Sequence, residues 1–257
     1  MSLPKIPTLS ALTWVETRDI LQLRPVGLLP IGAIEAHGPH LPLDTDVIIA
    51  RAMAAAGGSA IRQSGIPALI LPAVQYSVSF AGACFPGTMP VSSAALGAYL
   101  DDILRFHASQ GYRAICICNA HLEPAHVDVV SRVATTATTH AGIPVIFPDQ
   151  RQEPWASRLG DEFAAGSRHA GKYETSIVLA ASPDSVRHTE MEELQPVWID
   201  LPEALKAGAR DFAEAGADQG YFGDPAAASE DHGLALLEIL GEMIRERTMQ
   251  ALVSSGK

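Results

Sequence analysis

Apolar runs and amphipathic helical patterns alternate along this chain. Four short apolar runs have the length and composition of buried strands: Val26–Ile34, Ala68–Val74, Arg113–Cys118 and Ile143–Phe147. Segments with the apolar spacing of helices follow them: Asp46–Gln63, Ser92–Gln110, His126–His140, Thr175–Ala181 and His232–Leu252. A shorter helical pattern near the N-terminus has Ser10 or Thr13 as its cap. This alternation predicts a three-layer α/β/α fold with a mainly parallel sheet.

Composition narrows the class of protein. The 257 residues, of which 47% are hydrophobic and 18% charged, suit one large domain over 1–257, although two smaller domains also fit the length. A net charge of −11 with only 18 Lys and Arg argues against binding to nucleic acid or an anionic membrane. No apolar run approaches the ~20 residues of a membrane span. The first ten residues lack the apolar core of a signal peptide, so we expect a cytoplasmic protein.

The first apolar run ends in a Pro- and Gly-rich stretch that carries charged side chains. Glu35 and His37 lie two residues apart, which places them on one side of an extended chain, and Asp46 follows after an excursion long enough to fold back. Carboxylate and imidazole groups bind zinc and manganese, and ligands of open α/β sheets gather at the carboxyl ends of strands. The alternative is a solvated loop that ends in a helix-capping aspartate.

Two later segments repeat this pattern. His121 and Glu123 follow the third predicted strand, again two residues apart. His169 and Glu174 precede a helical segment, where Glu174 could also be an ordinary N-terminal helix carboxylate. The loop 75–90 is polar, small and Gly/Pro-rich, and long irregular loops in compact domains are often functional; a plain connecting loop is the alternative.

The string PIGAIEAHGPHLPLDTD, which runs from Pro30 to Asp46, resembles the signature P-x-G-x-x-E-x-H-G-x-H-L-P-x-x-T-D of the creatininase family. The segments FPGT at 85–88, NAHLE at 119–123 and HAGKYETS at 169–176 are similar to three further family segments. The resemblance implies a single α/β domain with a two-metal centre. It also implies assembly into a homohexamer.

The resemblance assigns roles to seven residues. Two divalent ions, zinc or manganese, would be held by five ligands, with Asp46 bridging both ions: Glu35, His37, Asp46, His121 and Glu174. Glu123 would handle the proton of the water that the metals activate, and His169 would protonate the leaving nitrogen. His40 would hold the loop by hydrogen bonds, and His126 has a structural role in this interpretation.

The expected activity is metal-dependent hydrolysis of a C–N amide bond other than a peptide bond, in a cyclic or other small amide. Creatinine itself is disfavoured, because Leu122 replaces a tyrosine of creatininase, Arg168 replaces an acidic residue, and no tryptophan lies near His169. Trp155 is a candidate for the missing lid aromatic, and Arg168 and Lys172 could attract an anionic substrate. Family members that deformylate a formamide or trim a peptide are alternatives, as is a non-catalytic protein that binds a metal or small ligand.

Overall fold

The computed structural model describes residues 5–256 and contains a parallel sheet at their centre. Its strands are β1 (Val26–Ile31), β2 (Ala68–Ile70), β3 (Ala114–Asn119) and β4 (Val145–Ile146). Their order is β2-β1-β3-β4, and every neighbouring pair is parallel. All residues of β1 and β3 are buried, which explains why both strands are continuous apolar runs rather than alternating ones.

Ten α-helices connect and cover the sheet within the described range. They are α1 (Trp14–Gln22), α2 (Thr45–Gln63), α3 (Ser93–Ser109), α4 (Pro124–Ala141), α5 (Trp155–Arg158), α6 (Asp161–Ala164), α7 (Lys172–Ala181), α8 (His188–Glu193), α9 (Leu201–Lys206) and α10 (Glu230–Ser254). No helix of residues 5–256 has the length and apolar character needed to cross a membrane.

Two apolar cores lie on opposite faces of the sheet. Leu28 and Cys116 belong to the core that includes residues of α2, α7 and α10. Leu29 and Ile117, their neighbours along the same strands, belong to the core that includes residues of α3 and α4. Successive strand residues point to opposite faces, so each central strand contributes to both cores. The predicted three-layer α/β/α fold is confirmed.

Local signals fix several helix ends. Of the two caps considered for α1, Thr13 is the one used, since its side chain and that of Glu16 form a reciprocal capping box. Helix α3 begins after Ser92, whose hydroxyl accepts from the N–H of Ala95. Helix α7 starts at Lys172 rather than Thr175, so that Glu174 lies in its first turn.

The end of β1 and the start of α2 touch at Gly32. A Cβ at this position would lie 2.6 Å from the carbonyl carbon of Asp46 and 2.7 Å from its Cβ. The glycine of the P-x-G-x-x-E motif therefore permits α2 to begin directly against β1, which brings Asp46 to the carboxyl end of the sheet.

We expect Gly32→Ala to destabilise the fold by ~1–3 kcal/mol, because the added methyl overlaps rigid backbone. Gly97→Ala in the middle of α3 is the matched control: its Cβ would find only ordinary contacts at 3.7 and 3.8 Å. The control should be neutral or gain up to ~1 kcal/mol from helix propensity. Urea unfolding measures both changes, and equal stabilities of the two variants would disprove the close contact at Gly32.

Candidate metal centre

Five buried side chains predicted as metal ligands converge at the carboxyl end of the sheet. Glu35 and His37 follow β1, Asp46 lies in the first turn of α2, His121 follows β3, and Glu174 lies in the first turn of α7. None is more than 4% exposed. Four chain segments separated by up to about 140 positions thus meet at one place, as parallel βα topology brings strand ends together.

The five side chains form two overlapping groups. In one, Nδ1 of His121 lies 3.0 Å from Oδ2 of Asp46 and 3.3 Å from Oε2 of Glu35. In the other, Nε2 of His37 lies 3.4 Å from Oδ1 of Asp46 and 3.6 Å from Oε2 of Glu174. The potential ligand atoms within each group all lie within 4.8 Å of one another. Asp46 belongs to both groups and turns a different oxygen to each histidine, which suits a carboxylate shared by two cations.

Both imidazoles are oriented by backbone carbonyls. The distance from Nε2 of His121 to the carbonyl oxygen of Val78 is 2.8 Å, and that from Nδ1 of His37 to the carbonyl oxygen of Glu35 is 3.0 Å. A carbonyl oxygen only accepts, so these ring nitrogens carry the protons. When a metal ion replaces the second proton of the ring, the other nitrogen presents a lone pair to the centre, as in metal sites whose histidines are held by outer hydrogen bonds.

The carboxylates are held in a similar way. Oε1 of Glu35 accepts from the Ser79 hydroxyl at 2.8 Å, and Oε2 of Glu174 accepts from the Ala170 N–H at 2.6 Å. Oε2 of Glu35 and Nε2 of His37 have no hydrogen-bond partner among the described residues, although both are buried. Buried polar atoms are rarely left in this state. Two unpartnered acceptors that face a shared carboxylate fit a divalent cation.

Burial and mutual charge perturb the pKa values of this group. Burial alone would lower the pKa of His37, but Asp46, Glu174 and Glu35 outweigh it and raise the pKa to about 9. Burial raises the pKa of Glu174 to about 8, against the opposing effect of His37. Three carboxylates crowded in a dry site thus favour added positive charge, whether as protons or as metal ions.

The two predicted proton-handling residues lie beside these groups. Glu123 directly precedes α4, its Oε2 accepts from the N–H of Ala81 at 3.1 Å, and burial raises its pKa. The Nε2 of His169 lies 2.8 Å from the carbonyl oxygen of Ala36, so its Nδ1 is the nitrogen that faces Glu35, at 3.9 Å. Burial, and then the charge of His37, lower the pKa of His169 to about 4. His169 also forms a third potential ligand group with Glu35 and His37.

A cavity of about 500 Å³ opens onto the centre. Its inner wall contains Glu35, Asp46, His121, Glu123, His169 and Glu174. The half-buried or exposed residues of its outer wall include Leu122, Arg151, Arg168, Leu201 and Lys206, and the buried ring of Phe212 also lines it. Four of the five potential metal ligands and both proton-handling residues therefore share one cavity that can hold a small substrate or the end of a larger one, while His37 lies behind its wall.

The loop 75–90 contacts three of the predicted site residues. Besides the hydroxyl of Ser79 on Glu35, it supplies the Val78 carbonyl to His121 and the Ala81 N–H to Glu123. Its position beside the site agrees with the sequence-based expectation, but the role of Ser79 has no signal in the sequence. Gly82 of this loop packs directly on Glu35, since a Cβ there would lie 2.7 Å from Oε1.

Glu162 supports the site from outside, and sequence reasoning missed it. Its carboxylate accepts from the backbone N–H groups of Lys172 at 3.1 Å, Tyr173 at 2.9 Å and Asp224 at 2.7 Å. Lys172 and Tyr173 open α7, so Glu162 satisfies donors that the helix itself cannot. It thereby fixes the turn that carries Glu174. The sequence around Glu162 looks like an exposed charged segment.

The expectation that Trp155 closes the cavity is wrong. Trp155 is not a lid aromatic: its side chain is 1% exposed, belongs to the core beneath α7 and α10, and does not line the cavity. The aromatic ring at the site is that of Phe212, whose centroid lies 4.4 Å from that of His169. Lys172 does not line the cavity either, whereas Arg168 does.

His40 and His126, the two buried histidines that are not candidate ligands, form hydrogen bonds that hold neighbouring segments in place. Nε2 of His40 lies 2.9 Å from the hydroxyl of Thr175, which ties the first motif to α7. Nε2 of His126 lies 2.8 Å from Oδ1 of Asn119, whose amide donates to the carbonyl of His121 at 2.6 Å. Both histidines are buried and lie outside the three potential ligand groups.

Comparisons with known proteins agree with this geometry. The model of the creatininase family, described as creatinine amidohydrolase, matches residues 10–247. The chain is 31% identical to a mycofactocin precursor peptide peptidase of Mycolicibacterium smegmatis, over 84% of this chain and 81% of that protein. It is also 31% identical to a creatinine amidohydrolase of Pseudomonas putida, over 62% of this chain and 65% of that one.

Solved structures give the same result. A mutant creatininase of Zn-Zn type superposes with a TM-score of 0.74 at 25% identity, covering 96% of this chain and 98% of that one. A manganese creatininase superposes with a TM-score of 0.72 at 25% identity and the same coverage.

Loss of the Ser79 hydroxyl should weaken metal binding. In Ser79→Ala the carboxylate of Glu35 loses its outer hydrogen bond, and we expect zinc affinity to fall ~10- to 100-fold. Ser77→Ala is the control, because the Ser77 hydroxyl donates to the carbonyl of Gly32 at 2.7 Å and contacts none of the predicted ligands. Competition with a chromophoric chelator measures the affinities. Equal zinc affinity of Ser79→Ala and Ser77→Ala would contradict a role for Ser79 at the centre.

Proposed function

Because the chain belongs to the creatininase family, a family of hydrolases, we propose that it cleaves a C–N amide bond by means of two divalent metal ions. The supporting observation is the shared carboxylate of Asp46, with one oxygen near His37 and the other near His121. Glu35 and His121 would complete one site, and His37 and Glu174 the other. Three carboxylates offset three of the four positive charges of two such ions.

Zinc or manganese bound there would polarise an amide carbonyl and provide hydroxide near neutral pH. The donor set, two imidazoles and three carboxylates, accepts either metal. The chain's own residues then have to move protons and orient the amide. The dry walls around Glu35 and Asp46 strengthen every charge interaction at the reacting bond.

Glu123 is the proposed general base. Its raised pKa brings a carboxylate closer to the operating pH, which is where general acid–base catalysis is most efficient. The hydrogen bond from the Ala81 N–H fixes one of its oxygens at the edge of the cavity.

His169 is the proposed proton donor to the leaving nitrogen. With a pKa of about 4 it is neutral at pH 7, so it must first receive a proton at Nδ1 before it can give one away. Glu123 lines the same cavity and is the group we propose as the source of that proton.

Two kinds of amide fit this proposal. A cyclic or small amide is the substrate expected from the sequence, and creatinine amidohydrolase of Pseudomonas putida acts on such a molecule by its name. A peptide-trimming activity is the second candidate, because relatives that are 27–31% identical are named mycofactocin precursor peptide peptidases. These names conflict with the expectation of a bond other than a peptide bond, so the bond is proposed only as an amide.

A substrate screen separates the candidates. The metal-loaded protein would be incubated with lactams, hydantoins, N-formyl amines and short peptides with free or blocked ends, and the products identified by mass spectrometry. Ring opening supports the first candidate, release of terminal residues the second, and formate release the deformylase alternative. Stable metal binding without turnover of any compound would favour the non-catalytic alternative.

Metal stoichiometry tests the shared role of Asp46. We expect two ions per chain in the parent protein, loss of both in Asp46→Asn, and retention of one in Glu174→Gln, since Glu174 belongs to only one group. Elemental analysis after removal of loosely bound metal gives the counts. Equal metal content in Asp46→Asn and Glu174→Gln would show that Asp46 does not bridge.

Removal of the proposed base should separate binding from chemistry. In Glu123→Gln we expect unchanged metal content and a turnover reduced ~10²-fold or more. Glu238→Gln is the control, because it makes the same chemical change at an exposed position of α10, outside the candidate centre. Steady-state kinetics on any compound hydrolysed in the screen measures the effect, and a Glu123→Gln variant with full turnover would remove Glu123 from the mechanism.

A further inference from the structure

Three cationic side chains line the outer part of a cavity whose inner part is acidic. They are Arg151, Arg168 and Lys206. The chain as a whole carries a net charge of −11 with only 18 Lys and Arg. Positively charged side chains at the mouth of the candidate active site indicate that it binds an anionic group, unless carboxylates of the chain already neutralise them.

Two of the three cations are already paired. Arg151 binds Asp149 through two nitrogens, with Nε–Oδ1 and Nη2–Oδ2 distances of 3.0 and 2.9 Å. Nζ of Lys206 lies 3.8 Å from Oε2 of Glu203, one turn earlier on α9. The bidentate pair leaves Arg151 little free charge for a substrate, whereas Lys206 is an exposed cation in a weak pair, and its flexible side chain offers no fixed donor geometry.

Arg168 differs from both. Within residues 5–256, no carboxylate oxygen lies within 4.0 Å of its guanidinium, although the side chain is half-buried. Its Nε donates to the carbonyl oxygen of Phe163 at 2.7 Å, and its guanidinium carbon lies 4.7 Å from the centre of the Phe163 ring. These two contacts fix the plane of the guanidinium. The carboxylates of Asp149 and Asp200 act on its charge only from beyond 4.0 Å, and neither terminal amino group has a hydrogen bond to another described residue, so both can bind another partner.

We propose that Arg168 forms a carboxylate-binding subsite, so that the amide hydrolysed by this protein carries a free carboxylate. A guanidinium held at Nε presents its two terminal nitrogens side by side, which matches the two oxygens of a carboxylate. Arg168 directly precedes His169 and lines the same cavity as Glu123, so a carboxylate bound there would direct the rest of the substrate toward the proposed proton-handling residues.

This inference rests on the proposed function and specifies its substrate. The carboxylate could be the C-terminal group of a peptide or the acid group of a small amide, and the chemistry of recognition is the same. The inner carboxylates do not prevent binding of an anion, because two divalent ions would offset the charges of Glu35, Asp46, Glu174 and Glu123.

Matched pairs of compounds that differ only in the carboxylate test the subsite. We would use 5-oxoproline and 5-oxoprolinamide, N-formylglycine and N-formylglycinamide, and triglycine and triglycinamide. The parent protein should favour the acid of any pair it hydrolyses. In Arg168→Gln, kcat/KM for the acid should fall about 10- to 100-fold, mainly through KM, while that for the primary amide stays unchanged.

Two control variants isolate the effect. Lys172→Gln removes one positive charge at a position four residues after Arg168. The Lys172 side chain does not line the cavity, so this variant should keep the preference for the acid. Arg168→Lys keeps the charge but not the paired donors, and we expect it to recover only part of the preference. A loss of preference in Lys172→Gln equal to that in Arg168→Gln would show a general field effect and overturn the subsite.

A binding measurement separates failure of the subsite from failure of the proposed function. The zinc-loaded Glu123→Gln protein, with and without Arg168→Gln, would be titrated with each compound by calorimetry. Binding of an acid that depends on Arg168, without hydrolysis of any pair by the parent protein, would support the subsite and contradict the amidohydrolase. Acids and amides that bind equally, or acids that bind equally with and without Arg168, would overturn the subsite whatever the activity.

Discussion

The structure depends on a buried carboxylate that faces two histidines. Asp46 is 1% exposed, and its two oxygens lie 3.4 Å from His37 and 3.0 Å from His121. Two more buried carboxylates, of Glu35 and Glu174, lie against the same histidines. Burying charge is costly unless it is compensated, so a site with more carboxylates than imidazoles favours added positive charge, as protons or as metal ions.

The fold brings these side chains together at two levels: the backbone elements converge, and hydrogen bonds then orient the side chains. Parallel strands β1 and β3 end side by side, and Gly32 lets α2 begin close enough for Asp46 to reach the centre. Glu162 holds the first turn of α7, and with it Glu174. Backbone carbonyls of the chain then select the tautomers of His37 and His121. Each of the five candidate ligands is thus oriented by a group outside the centre, Asp46 by the N–H of Ala33 at 3.2 Å.

Much of the fold and of the centre could be predicted from the sequence, because both depend on local patterns. Strand β1 and helix α2 are continuous apolar or periodic segments, and the ligands lie in short motifs at their ends. The second strand was predicted too long: Ala68–Ile70 forms it, and Val74 makes only an isolated bridge to Ile31. Ser79, Glu162 and Phe212 could not be found, since their roles come from contacts with distant backbone and rings. The error at Trp155 has the same cause, because a buried and an exposed tryptophan look alike in sequence.

Two departures from the creatininase sequence, Leu122 and Arg168, line the same cavity as the candidate centre, and the proposed carboxylate subsite depends on Arg168. The inner centre sets the reaction, and its shared carboxylate can be observed directly. Anomalous diffraction at the zinc edge from crystals of the zinc-loaded protein is the most direct measurement. We expect two peaks ~3.5–4 Å apart on the two oxygens of Asp46, one beside Glu35 and His121 and the other beside His37 and Glu174. A single peak, or peaks that leave Asp46 without a metal contact, would contradict the two-metal centre.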